Sequence, residues 1–206
     1  MLEKDEFFDE KILEYRRRAR KEEYSSLQTG MYIKNELVQF DYVEIFPDKL
    51  SIMMPTTFVT LPSNLAKLKY TSEQRPQVIK TSLDTTVNLG ISLLNVPVYP
   101  EQIKILQGQT KEALKRLNPA FVFYEEKVEN ESPLGWLEFK SYGLDGNVYN
   151  LMFFAIADGK AVHGIFNCVY EDAVEWRDAA RQMIYSIKDI SKEEKNEGTK
   201  NYSGTV

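Results

Sequence analysis

Apolar residues recur along the chain with two different periods, and the switches between them mark its elements. The clearest alternation runs from Thr86 to Leu93, where Val87, Leu89, Ile91 and Leu93 interleave with Thr86, Asn88, Gly90 and Ser92. A repeat of two sends the two sets to opposite faces of a strand, one facing a core and the other polar. Residues Glu36 to Phe46 and Leu50 to Met54, rich in Val, Ile, Phe and Tyr and separated by Pro47-Asp48, predict a hairpin. A further strand is predicted from Gln77 to Ser82. From Ala120 the pattern predicts four consecutive strands, divided by turn signals at Ser132-Pro133-Leu134-Gly135, Asp145-Gly146 and Asp158-Gly159. The third of them contains Leu151-Met152-Phe153-Phe154-Ala155-Ile156, apolar on both faces, and so needs cover on both.

Helical spacing accounts for most of the rest. Pro62 suits the first turn of a short helix through Tyr70 that places Leu65 and Leu68 on one face. A longer helix opens at Pro100-Glu101, carries Ile103, Leu106, Ala113, Leu114 and Leu117, and closes near Asn118-Pro119; Gly108 weakens its middle by about 1 kcal/mol relative to alanine. A final helix over Glu171 to Ile187 sets Ala173, Trp176, Ala180, Met183, Ile184 and Ile187 against an opposite polar face of Arg177, Asp178, Arg181 and Gln182. At the start, Met1 to Tyr24 holds eight acidic and seven basic side chains around a narrow stripe of Phe8, Ile12, Tyr15 and Ala19, a solvated helix expected to dock by that stripe.

These elements predict an α+β fold, a mostly antiparallel sheet sandwiched by helices. The expected organisation is a charged helix over residues 1–24, one domain over residues 25–190, and a disordered polar tail over residues 191–206. The order of elements, together with Leu61-Pro62 leading into Lys69-Tyr70-Thr71-Ser72-Glu73-Gln74-Arg75-Pro76, resembles the PsbP-like superfamily over residues 50–187. That superfamily includes the DcrB-like bacterial proteins and a Ran-binding nuclear import factor. The resemblance implies a non-enzymatic binding or assembly role; one bacterial branch acts as chaperones for membrane-inserting helices of secreted toxins. It carries no partner-contacting residue onto this chain, and the charged N-terminal helix is an addition to the pattern.

Charge and composition narrow the chemistry. Thirty-one acidic against 26 basic residues leave a net charge of −5, with no basic excess to attract nucleic acid. The longest apolar run, Leu151 to Ala157, is far short of the roughly 20 residues of a membrane-spanning helix. The charged opening lacks a signal-peptide core, and with the single cysteine this predicts a cytoplasmic protein. One Cys and one His exclude a disulfide framework and a Cys/His metal cluster, so no metal or cofactor is expected. Phosphate-cradling glycine loops and nucleophile-elbow patterns are absent from the sequence. His163 and Cys168 lie five apart in one strand and point to opposite faces, which disfavours a dyad and predicts a satisfied, partly exposed histidine and a buried structural thiol. Glu125 and Glu126 likewise point to opposite faces, and Glu129 and Glu131 look like solvated charges.

Two binding surfaces remain. The loop Tyr70 to Pro76 offers Tyr70, Glu73 and Arg75; the polar strand face offers Thr86, Asn88 and Ser92, a shallow groove if uncovered. The expected function is a non-enzymatic protein-binding, adaptor or chaperone-like domain with a protein partner. The alternatives are a small-molecule-binding protein or carboxylate-based enzyme with a pocket on the sheet, and a structural subunit that self-associates through its N-terminal helix.

Overall fold

Element ends fall where proline, glycine or a run of charge stops a ladder or a helix. The structure, a computed structural model, describes residues 3–70, 72–73, 75–129, 131–143 and 146–191, with side chains from residue 9 onward. Helix α1 (Glu3–Glu23) leads into β1 (Ser25–Ser26), β2 (Gly30–Ile33) and β3 (Glu36–Val38), which pair as a small antiparallel sheet. The predicted hairpin is present as β4 (Phe40–Phe46) and β5 (Leu50–Pro55). Then come β6 (Val59–Thr60), α2 (Ser63–Lys69), β7 (Val78–Thr81) and β8 (Asn88–Pro97). A single 3-10 turn opens α3 (Ile103–Leu117), and the meander follows as β9 (Val122–Val128), β10 (Gly135–Gly143), β11 (Gly146–Ala157) and β12 (Lys160–Val169). Helix α4 (Ala173–Tyr185) and β13 (Lys188–Asp189) complete the described chain.

Seven strands form the main sheet in the order β6-β7-β8-β12-β11-β10-β9, antiparallel at every pairing. One face carries Leu89, Ile91, Leu151, Phe153 and Phe166 against α4 and the second sheet β13-β5-β4, whose Leu50, Ile52 and Met54 close the same core. The other carries Met152, Phe154, Leu137 and Phe139 beneath Ile103 of α3. The doubly apolar β11 is therefore covered on both sides, as its sequence requires, and the fold is an α+β sandwich. Close approach within the sheet fixes Gly164, where an added Cβ would lie 2.0 Å from the Phe153 ring.

Four expectations are corrected. Helix α1 does not dock by its stripe: Ile12, Tyr15 and Ala19 are exposed, while Phe8 lies outside the described side chains. Its charges cannot be desolvated by so few apolar contacts, and its end is held instead by Lys21 at 3.7 Å from Glu175 and by Tyr24 edge-on to Tyr32. Leu65 and Leu68 face solvent because α2 turns Ala66 inward. Ala113 and Leu117 are exposed on α3, where Gln107 shares the buried face with Ile103. The final helix stops at Tyr185, two residues early, and Lys188–Asp189 pairs with β5. Residues 192–206 of the tail, Thr71 and Gln74 of the loop, and Asp145 of the turn lie outside the described residues.

Candidate functional site

The two surfaces expected from the sequence meet each other. Lys69, at the end of α2, donates through Nζ to the Asn88 side-chain oxygen at 3.0 Å and to the Thr85 carbonyl, and the Asn88 amide donates to Asn167 at 3.0 Å. Tyr70 hydrogen-bonds to Asn167, and burial pushes its hydroxyl pKa up. Thr81 donates to the same Asn88 oxygen at 2.9 Å, the backbone N–H of Gln77 donates to Ser92 at 3.2 Å, and Pro76 sits directly over Gly90. Asn88 and Ser92 are consequently buried, and the loop covers the strand face that would otherwise be a groove. Arg75 turns back on its own loop, donating to the carbonyls of Ser72 at 3.1 Å and Tyr70 at 3.4 Å, while Glu73 stays in solvent. Thr86 precedes β8 and bonds Asp84 at 2.9 Å.

His163 and Cys168 occupy opposite faces of β12, as their spacing dictates. His163 stacks on Phe154 at 5.2 Å, burial pulls its pKa down, and its Nε2 has no hydrogen-bond partner. It is partly exposed, as its sequence context predicts, but its Nε2 is unpaired where a satisfied ring was expected. Burial pushes the Cys168 thiol up to about 12.

A different constellation lies on the α4 side of the meander. Glu138 of β10 is fully buried and fully paired. Arg177 donates to its Oε2 through Nε at 2.8 Å and Nη2 at 2.5 Å, and Arg181 donates to Oε1 through Nε at 2.6 Å. Burial alone would raise the Glu138 pKa, but the two guanidinium groups outweigh it and hold the carboxyl below its usual range. Arg181 also binds Glu125 and lies 4.8 Å over the Trp136 ring. Glu125 reaches this face through a bulge: Leu137 pairs with Glu126 and Phe139 with Phe123, so Tyr124 and Glu125 together oppose Glu138. Both therefore point toward α4, while Glu126 binds Lys111 of α3 at 2.8 Å.

Beside this ion cluster opens a cleft of about 360 Å³ lined by Tyr124, Tyr149, Tyr170, Ala173, Val174 and Arg177. Tyr124 and Tyr170 stand nearly parallel with ring centres 6.5 Å apart and hydroxyls 2.8 Å apart. Lys140 lies 4.4 Å over the Tyr170 ring and 5.1 Å over Tyr142. The apolar rim is open to solvent, with Tyr124 41% and Val174 88% exposed. Tyr149 forms the floor at 2% exposure, and burial, the nearby Glu138 charge and its hydroxyl's hydrogen bond toward the Glu138 carboxylate raise its pKa. A larger groove of about 680 Å³ between α3 and β9 is lined mainly by charged side chains such as the paired Lys111 and Glu126, and no aromatic ring lines it.

Sequence reasoning passed over this site. Glu138 reads as the polar member of an alternating strand, and Arg177 and Arg181 as the wet face of α4. The available signal was the combination: an acid inside Trp136-Leu137-Glu138-Phe139 and two arginines four apart on a helix that packs on that sheet.

No protein-family model and no curated protein matches the chain. Among solved structures, it superposes on the cyanobacterial PsbP of Synechocystis with a TM-score of 0.54 and 10% identity, covering 76% of this chain and 95% of that one. LpqN of Mycobacterium tuberculosis, described as involved in cell envelope biogenesis, superposes with a TM-score of 0.44 and 14% identity, covering 76% and 94%. The fold is thus PsbP-like, and at these identities the likeness is one of fold.

Proposed function

We propose that this chain is a non-enzymatic binding domain of adaptor or chaperone-like type, which holds a segment of a protein partner in the tyrosine-lined cleft beside α4. The observation that carries this reading is the exposed aromatic and aliphatic rim, Tyr124 and Val174, around a concave floor closed by the buried Tyr149 ring. Exposed aromatic side chains set against a rigid sheet are the usual anchors of protein interfaces. The acid–base candidates are engaged otherwise: Glu138 is pinned by two arginines, Cys168 is buried at high pKa, and His163 sits in apolar contact on the far face. This supports binding over catalysis.

The test is affinity capture of the full-length protein from its native host with a Tyr124→Ala/Val174→Arg variant and a Leu117→Arg surface control, followed by mass spectrometry. A stoichiometric protein retained by the control and lost from the cleft variant is expected. Equal recovery by all three would overturn the cleft as the docking site, and metabolites instead of protein would turn the reading toward a small-molecule binder.

A further inference from the structure

Every described side chain of α1, from Asp9 to Glu23, is exposed, whereas α2, α3 and α4 each bury part of one face. A helix of 21 residues, about 32 Å long, draws most of its stability in water from packing. Its own charges do not replace that packing. Between Asp9 and Glu23, charged pairs three or four residues apart divide evenly between attraction, as in Glu14 with Arg18, and repulsion, as in Arg16 with Arg20.

The stripe is placed to receive a partner. Arg17 and Lys21 face the body, lining a groove with Tyr32 and Asn35, and Lys21 reaches Glu175. Ile12, Tyr15 and Ala19 lie half a turn round from them and point away from the body. With Phe8 they are spaced four, three and four apart, the step of a coiled-coil seam, and that spacing reads the same from either end. A second copy laid in reverse therefore sets position 8 across from position 19 and position 12 across from position 15, a phenylalanine facing an alanine and an isoleucine facing a tyrosine.

Charge selects the same arrangement. Glu3 to Glu14 holds six acidic and two basic residues, and Tyr15 to Glu23 five basic and two acidic. Attraction to the helix dipole accounts for charges in the first and last turns only, and these blocks run on to Glu14 and back to Arg16. A reversed copy lays each block against its opposite, and beside the seam it brings Asp9 to Arg16 of the second copy at two symmetry-related places. On the other flank Lys11 comes level with Arg18, which already has Glu14 at 3.8 Å. A parallel copy would set acid on acid and base on base. An anionic membrane would attract Arg16 to Lys21 and repel the acidic half.

Independently of the cleft, we propose that α1 pairs antiparallel with α1 of a second copy of this chain, burying the Ile12 and Tyr15 seam in a two-fold symmetric dimer.

Sedimentation velocity on the full chain tests this. Wild type should pass from monomer to dimer between about 1 μM and 1 mM, the range of a small interface. Ile12→Asp should leave monomer alone. Asp9→Arg and Arg16→Asp each turn both flanking pairs into repulsions, and each by itself should weaken the dimer by about tenfold or more. Mixed in equal amounts, the two variants again present opposite charges across the seam and should associate as tightly as wild type. All three substitutions lie on exposed helix, so the thermal midpoint of the body should stay where it is. A wild-type chain that remains monomeric over the whole range overturns the proposal, as does a dimer that survives Ile12→Asp or a mixture no tighter than its components. Tightening by Arg16→Asp alone, which a parallel pair would show because it sets position 16 beside Lys11, overturns it as well.

Discussion

Arg177 grips Glu138 through two hydrogen bonds to a single carboxylate oxygen, from Nε at 2.8 Å and Nη2 at 2.5 Å, with the carboxylate wholly out of solvent and the guanidinium partly in it. Arg181 takes the second oxygen, so α4 is fastened to β10 by charge as well as by Trp136, Ala180 and Met183 in the core. Burying a carboxylate is tolerable only while its partners stay in place.

Removing the partners exposes that cost. Arg177→Met/Arg181→Met leaves Glu138 buried without a counter-charge and should lower stability by about 3–5 kcal/mol, measured by urea denaturation. Adding Glu138→Leu to the pair should recover most of the loss, because an apolar replacement for all three charges is close to neutral. A triple variant as unstable as the double one would show that the ion cluster is not the source of the loss.

The dependence of stability on pH follows from two groups. His163 has its folded pKa lowered by burial. Below its unfolded value of about 6.5 the unfolded chain takes a proton that the folded one refuses, so stability falls as pH drops through that range. Glu138 has its folded pKa lowered by the arginines, and its contribution is present above the unfolded value of about 4.3 and lost as pH falls below it. Denaturation midpoints from pH 8 to pH 3 should therefore show a first decline that His163→Phe removes and a steeper one that Glu138→Gln softens. A first decline that persists in His163→Phe would contradict a histidine held neutral by its partial burial.

Two glycine substitutions should have opposite signs. Gly108 lies on exposed helix with nothing within 4 Å of an added Cβ, and Gly108→Ala should stabilise by about 1 kcal/mol through helix propensity. Gly164→Ala drives a methyl into the Phe153 ring and should destabilise by about 1–3 kcal/mol or more. Thermal midpoints that move the same way in both would refute this contrast.

Much of the fold is legible in hydrophobic period alone. The doubly apolar Leu151–Ile156 segment announces a strand covered on both sides, and the alternation at Val87, Leu89 and Ile91 announces its buried face, because burial is what period reports. The candidate site is less legible for the same reason. Period assigns Glu138, Arg177 and Arg181 to wet faces, whereas in space each completes another's charge. It also assigns Asn88 and Ser92 to an open face, which Lys69, Tyr70 and Pro76 cover from the segment just before β7, where no hydrophobic period reports the fold-back. The stripe on α1 errs in the other direction: four apolar positions among fifteen charges predict docking, but nothing in period states that desolvating those charges costs more than the stripe returns.

The extra residue in β9 has a consequence for how this surface can change. Because Tyr124 and Glu125 share a face only through that irregular pairing, the wall of the cleft and the counter-charge of Arg181 are inherited as one unit. A deletion that restored the regular ladder would turn one of them toward α3, so a descendant chain could not reshape the cleft wall by that route without also altering how its last helix is anchored.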